Sequence, residues 1–155
     1  MTVREYMSRS VVTVTPSTNI AEIASTLNKH GIYGVPVVDA EGRLLGTVSH
    51  DELMGVFIPH YLSMLDELAF VGDMAAIEAR TMSSIEPSLF VAEDVMRTNP
   101  IKVTPDTSLM KVAALLINKK LGFLPVVDEQ NRVVGVVSRS DVTNAFTGIR
   151  RAEER

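Results

Sequence analysis

An offset of 89 residues carries Val14-Thr15-Pro16 onto Val103-Thr104-Pro105 and Pro36-Val37-Val38-Asp39 onto Pro125-Val126-Val127-Asp128, with no gap between the matches. Met7, Thr18, Ala24, Leu27, Arg43, Gly46, Val48 and Ser49 return at the same offset as Met96, Thr107, Ala113, Leu116, Arg132, Gly135, Val137 and Ser138. The shared positions fall in turns, strands and helix faces alike, so the repeat is one of structure and not merely of composition. Each unit is about 55 residues long, near the lower limit at which one hydrophobic core folds unaided. Two units packed through their sheets would bury the apolar face that each exposes alone. The chain is therefore expected to form a pseudo-twofold pair.

Within a unit the order reads strand, helix, strand, strand, helix. Residues 11–14 are a short β-branched run halted at Pro16, which cannot donate to a ladder. Asn19 is placed to cap the next helix, with Glu22 as its capping-box partner. Ile20, Ile23, Ala24 and Leu27 mark that helix's inner face, and Gly31 closes it. Residues 35–38 and 44–48 flank the turn sequence Asp39-Ala40-Glu41-Gly42 and read as a hairpin, with a short helix after Ser49. The second unit repeats this with a strand at 101–103 and a helix placing Leu109, Val112, Ala113 and Leu116 inward. A hairpin then turns at Glu129-Gln130-Asn131, and a helix runs to about Phe146.

The expected fold class is α/β (α+β): two pseudo-symmetric β-α-β-β-α repeats, residues 1–57 and 91–147, packed through their sheets. Residues 58–90 form a non-repeated helical insertion and residues 148–155 a tail. In the insertion Tyr61, Leu62, Leu65, Leu68 and Ala69 stand at helical spacing, and residues 61–65 are candidates to cover a dimer or pair surface. Asp73 can cap a second helix through Met74, Ile77 and Glu78.

Composition narrows what such a fold can do. The chain has 155 residues, with 15 Lys and Arg against 19 Asp and Glu, for a formal charge of −4. That balance argues against nucleic-acid binding, which calls for a basic stripe to displace counterions. Without cysteine there is no disulfide framework, thiolate nucleophile or sulfur-ligated zinc. No apolar run approaches the roughly 20 residues that span a bilayer. The opening Met-Thr-Val-Arg-Glu-Tyr-Met carries charges where a signal peptide needs its apolar stretch. A cytoplasmic protein is expected.

No catalytic constellation stands out. His30, His50 and His60 show no metal-binding spacing, and Asp51-Glu52 and Asp66-Glu67 are adjacent carboxylates that point apart on a helix. Gly135-Val136-Val137-Ser138 lacks a hydrolase elbow, and no glycine-rich phosphate loop occurs. What remains is a polar cluster where a strand hands over to a helix, Ser138-Arg139-Ser140-Asp141. Its hydroxyls, helix-start N–H groups and arginine suit a phosphate, and an aspartate can accept both hydroxyls of a ribose. Pure capping explains the same residues, with Ser138 or Ser140 at the N-cap and Asp141 favouring the helix dipole. Residue chemistry alone leaves both readings open.

The doubled pattern of Pro-Val-Val-Asp, a turn, then Gly-Val-Val-Ser-Arg-Ser-Asp-Val resembles the cystathionine β-synthase (CBS) domain, two of which in tandem form a Bateman module. The likeness covers residues 3–57 and 91–147. It implies ligand sensing without catalysis, an adenosine ligand (AMP, ADP, ATP or S-adenosylmethionine) in one or both clefts between the repeats, and a disc-like homodimer acting on a separate effector protein. A module whose clefts stay empty and which docks a transporter or enzyme is the alternative. No metal or catalytic cofactor is implied.

Carried onto this chain, the resemblance makes Asp141 the ribose acceptor, with Val137, Ser138, Arg139 and Ser140 beside the phosphate. Ser10, Val12, Tyr33, Gly34, Val35 and Pro36 complete that cleft from the other repeat. The symmetry-related cleft would draw on Ser49, His50 and Glu52 with Asn99, Ile101, Gly122, Phe123 and Leu124. There Glu52, one methylene longer, stands where Asp141 stands, and Asp51 is out of register. Lys119 and Lys120 are further candidates for phosphate.

Overall fold

A computed structural model describes residues 1–58 and 74–149. Its elements follow the repeat. In the first half α1 (Val3–Tyr6), α2 (Ile20–His30), β1 (Gly34–Val38), β2 (Leu44–Ser49) and α3 (His50–Gly55) succeed one another. Helix α4 (Met74–Ser84) and a 3-10 turn (Pro87–Leu89) lie between the halves. The second half runs α5 (Ala92–Val95), β3 (Arg97–Thr98), α6 (Leu109–Asn118), β4 (Phe123–Val127), β5 (Val133–Ser138) and α7 (Arg139–Phe146).

The local signals act as expected. Asn19 Oδ1 accepts the Glu22 N–H at 2.8 Å, and Gly31 ends α2 at φ +59°. The hairpin turns are built alike: Asp39 Oδ1 accepts the N–H groups of Glu41 (3.0 Å) and Arg43 (2.9 Å), and Asp128 Oδ1 those of Gln130 and Arg132 (both 2.9 Å). These backbone donors, led by the arginine N–H in each turn, hold both carboxyls below the ordinary aspartate range. Arg43 and Arg132 then pair with the same carboxylates through Nε. β1 pairs antiparallel with β2, and β4 with β5.

The strands expected at 11–14 and 101–103 shrink to single bridges, Val14 to Val37 and Val103 to Val126, both parallel. Val14 donates to Pro36 O (3.0 Å) and accepts from Val38 N (2.9 Å). A parallel ladder would continue with a bond from residue 36 to the Val12 carbonyl, but proline has no N–H to give. Pro125 stops the second copy at Ile101 in the same way.

The other half supplies a third strand to the first sheet and a single bridge to the two-stranded second sheet. β3 pairs with β2 through Gly46–Thr98 and Thr47–Arg97, and Ser8 bridges Val136 at the matching place on β5. Gly46 and Gly135 recur because this crossing is tight. A Cβ on Gly46 would sit 2.8 Å from Arg97 O, and one on Gly135 3.0 Å from Ser8 O. The short helices cross over too. Val3 is fully buried in the cluster around Leu109, Val112, Leu116, Leu124 and Val126, whereas Ala92 is buried with Ile20, Ile23, Leu27, Val35 and Val37. Their backbones are held there by bonds such as Val3 N–H to Thr107 O (2.9 Å) and Ala92 N–H to Thr18 O (2.8 Å). At the pseudo-twofold axis Leu44 N–H donates to Asn131 O (2.9 Å) and Val133 N–H to Gly42 O (3.0 Å).

Of the insertion, the helix expected through Met74, Ile77 and Glu78 forms, although none of its residues is buried. Tyr61, Leu62, Leu65, Leu68, Ala69 and the capping role of Asp73 lie outside the described residues.

Candidate functional site

The crossed arrangement leaves two grooves, one on each side of the pair, and they are unequal. The larger, about 220 Å³, opens between the start of α7 and the segments on either side of α2. Its walls include Ser10, Val12, Tyr33, Gly34 and Pro36 from the first half, and Ser138, Ser140 and Asp141 from the second. Eight expected residues from distant parts of the chain thus meet in one cleft. Ser8, His30, Gly31, Ile32, Phe123 and Val136 complete it. The repeat itself held a signal for two of these, because Lys119 and Lys120, singled out as phosphate candidates, fall on His30 and Gly31 at the 89-residue offset.

Three expected residues turn elsewhere. Val35 and Val137 are fully buried in the two cores. Strand alternation decides this: their neighbours Gly34, Pro36, Val136 and Ser138 face the cleft, so they face inward. The Arg139 guanidinium donates to Leu121 O (2.7 Å) and Leu116 O (2.8 Å), closing the end of α6 instead of lining the cleft. The expectation that it stands beside a phosphate is corrected.

Asp141 is both cap and wall. It is 4% exposed, and its Oδ2 accepts the Ser138 N–H and the Ser138 hydroxyl, each at 2.8 Å. Ser138 Oγ in turn receives the Asp141 N–H, which makes a capping box at the start of α7. Across the cleft Tyr33 is half exposed and packs over Gly122.

The mirror groove measures only about 40 Å³. Ser49, Ile101, Gly122 and Phe123 line it as expected, together with Asp51, Arg97 and Lys120. His50, Glu52, Asn99 and Leu124 are not among its walls. Leu124 is core, at 1% exposed. Glu52 caps Ser49 as Asp141 caps Ser138, but it also meets Arg97 Nε at 3.3 Å. Arg97 stands where the larger cleft has Ser8, and Phe123 where it has Gly34. A guanidinium and a phenyl ring therefore fill what a hydroxymethyl and a hydrogen leave open. The close approach is reciprocal, since a Cβ on Gly34 would lie 2.5 Å from Phe123 Cε1.

The family model of the CBS domain matches residues 3–58 and 91–148. The chain belongs to the CBS domain family. As a CBS pair it is similar over 97% of its length to the structure of CBSX2 from Arabidopsis thaliana in complex with AMP (26% identity, TM-score 0.71, 98% of that chain). It is equally similar to the CBS domain pair of protein MJ0100 in complex with 5′-methylthioadenosine and S-adenosyl-L-methionine (25% identity, TM-score 0.71, 97% and 98% covered). Among curated proteins it is 26% identical over 142 residues to the uncharacterized protein MJ1225 of Methanocaldococcus jannaschii, covering 92% of this chain. It spans only 46% of that relative. No described helix of this CBS pair is long and apolar enough to cross a membrane, and the described residues contain no cluster of His, Asp and Glu suited to a metal.

Proposed function

We propose that this CBS pair is a non-catalytic regulatory module that binds one adenosyl ligand in the larger cleft. One observation carries the reading: a groove of about 220 Å³ is walled by both halves of the chain, with a buried carboxylate from one facing apolar walls from the other. The ribose hydroxyls go to Asp141, and the adenine lies among Val12, Ile32, Tyr33 and Pro36. A ligand held from both sides favours one relative placement of the halves, which is what coupling to an effector protein requires. The ligand is AMP, ADP, ATP or S-adenosylmethionine, and the working unit is a homodimer.

Calorimetry of the full chain with adenosine and its 5′-substituted derivatives tests this. Binding at one equivalent per chain is expected. At a hundred times Kd the ligand raises stability by about 2.7 kcal/mol, which corresponds to a melting shift of roughly 5–11 °C for a chain of this size. No heat and no shift with any adenosyl compound would sink the reading. A second reading, a docking module with empty clefts, draws on the insertion, where Met74, Met82 and Leu89 are exposed. Capture of a partner independent of any adenosyl ligand would favour it.

A further inference from the structure

The ligand's 5′ end meets an unusual electrostatic setting in this cleft. Among the described residues that wall it, His30 is the one side chain able to carry positive charge, and Asp141 brings a buried carboxylate into the same walls. The groups that would ordinarily receive a phosphate are already committed. Arg139 spends its guanidinium on the carbonyls of Leu116 and Leu121.

The start of α7 is similarly engaged. The Ser138 N–H goes to Asp141 Oδ2, the Arg139 N–H to Gly122 O (3.1 Å), and the Asp141 N–H to Ser138 Oγ. Three of the N–H groups that make a helix start attractive to anions are therefore used internally. The opposite wall works in the same direction. His30, Gly31 and Ile32 are the closing turn of α2, the negative end of that helix dipole. A phosphate entering this space would leave water with His30 as the one described wall side chain to offer it countercharge, which is costly. The mirror groove has two cationic side chains, Arg97 and Lys120, in its walls beside one carboxylate, Asp51.

We propose that the larger cleft selects adenosyl ligands whose 5′ substituent is uncharged or cationic, a thioether or a sulfonium, over 5′-phosphates. This rests on the adenosyl reading of the same cleft and adds the charge class of its ligand. The test is calorimetry of the full chain with 5′-methylthioadenosine, S-adenosylmethionine, AMP and ATP. The thioether or the sulfonium is expected to bind at least tenfold more tightly than either nucleotide.

AMP or ATP binding as tightly as the best of the others overturns the charge selection and leaves the adenosyl reading standing. Silence from all four compounds overturns both.

Discussion

Replacing Asp141 with alanine separates the helix cap seen in the structure from the ribose acceptor proposed for the same residue. The unliganded protein loses two hydrogen bonds to a 4% exposed carboxylate, from the N–H and the hydroxyl of Ser138, each 2.8 Å long. A bond to a charged group contributes about 1.5–3 kcal/mol. Both donors sit at one helix end that water reaches once the carboxylate is gone, so the net loss should lie near the upper range for a lost cap, about 2 kcal/mol. A chain of this length melts roughly 2–4 °C lower per kcal/mol, giving an expected drop of about 4–8 °C. Ligand affinity responds to a different set of bonds. Losing the acceptor for the ribose hydroxyls costs about 1.5–3 kcal/mol, which is tenfold or more in Kd. Scanning calorimetry of the free variant reads the first number, and titration with 5′-methylthioadenosine and AMP well below the variant's Tm reads the second. A variant that melts lower yet binds within twofold of the parent would show that Asp141 is a cap alone, and the ribose assignment would be wrong.

The remaining predictions concern the asymmetry of the clefts and the turns. Arg97→Ser removes an ion pair whose arginine is half exposed, so stability should change by less than about 1 kcal/mol. If that guanidinium is what blocks the mirror groove, calorimetric stoichiometry rises above one ligand per chain; an unchanged stoichiometry places the block at Phe123. Gly34→Ala drives a Cβ to 2.7 Å from Val48 O, a carbonyl fixed by the hairpin, and should cost about 1–3 kcal/mol in urea unfolding. A fully stable variant would contradict the close approach. Asp39 and Asp128 have folded pKa values below the unfolded value of about 3.9. Their contribution is therefore whole above that value and is lost as pH falls through the lowered folded ones. The Asp39→Asn/Asp128→Asn pair should be less stable than the parent at pH 7, with the gap closing in strong acid; a gap independent of pH would refute this.

Much of this molecule was legible before any coordinates. The 89-residue offset predicts two like units, and α2, α6, both hairpins and the Asp39 and Asp128 turns appear where hydrophobic spacing and turn residues place them. These are local effects, fixed by residues within a few positions of one another. Ser10, Val12, Tyr33, Pro36, Ser138, Ser140 and Asp141 are grouped in advance only by the resemblance to the CBS domain, carried by motifs such as Gly-Val-Val-Ser-Arg-Ser-Asp-Val.

Tertiary structure decided what depends on which surfaces meet. The strands expected at 11–14 and 101–103 gave way to segments borrowed across the pair, since Pro36 and Pro125 end one ladder while Gly46 and Gly135 admit another. Arg139 was drawn to the end of α6, where the carbonyls of Leu116 and Leu121 accept its guanidinium. The inequality of the two grooves came from Arg97 reaching Glu52 and Phe123 lying over Gly34. The contacts across the pair join residues at least 45 positions apart, the shortest span being Glu52 to Arg97, and the Arg139 bonds reach back 18 and 23 positions. A one-dimensional pattern records which side chains are available, but only the packed chain determines which of them arrive first at a shared space.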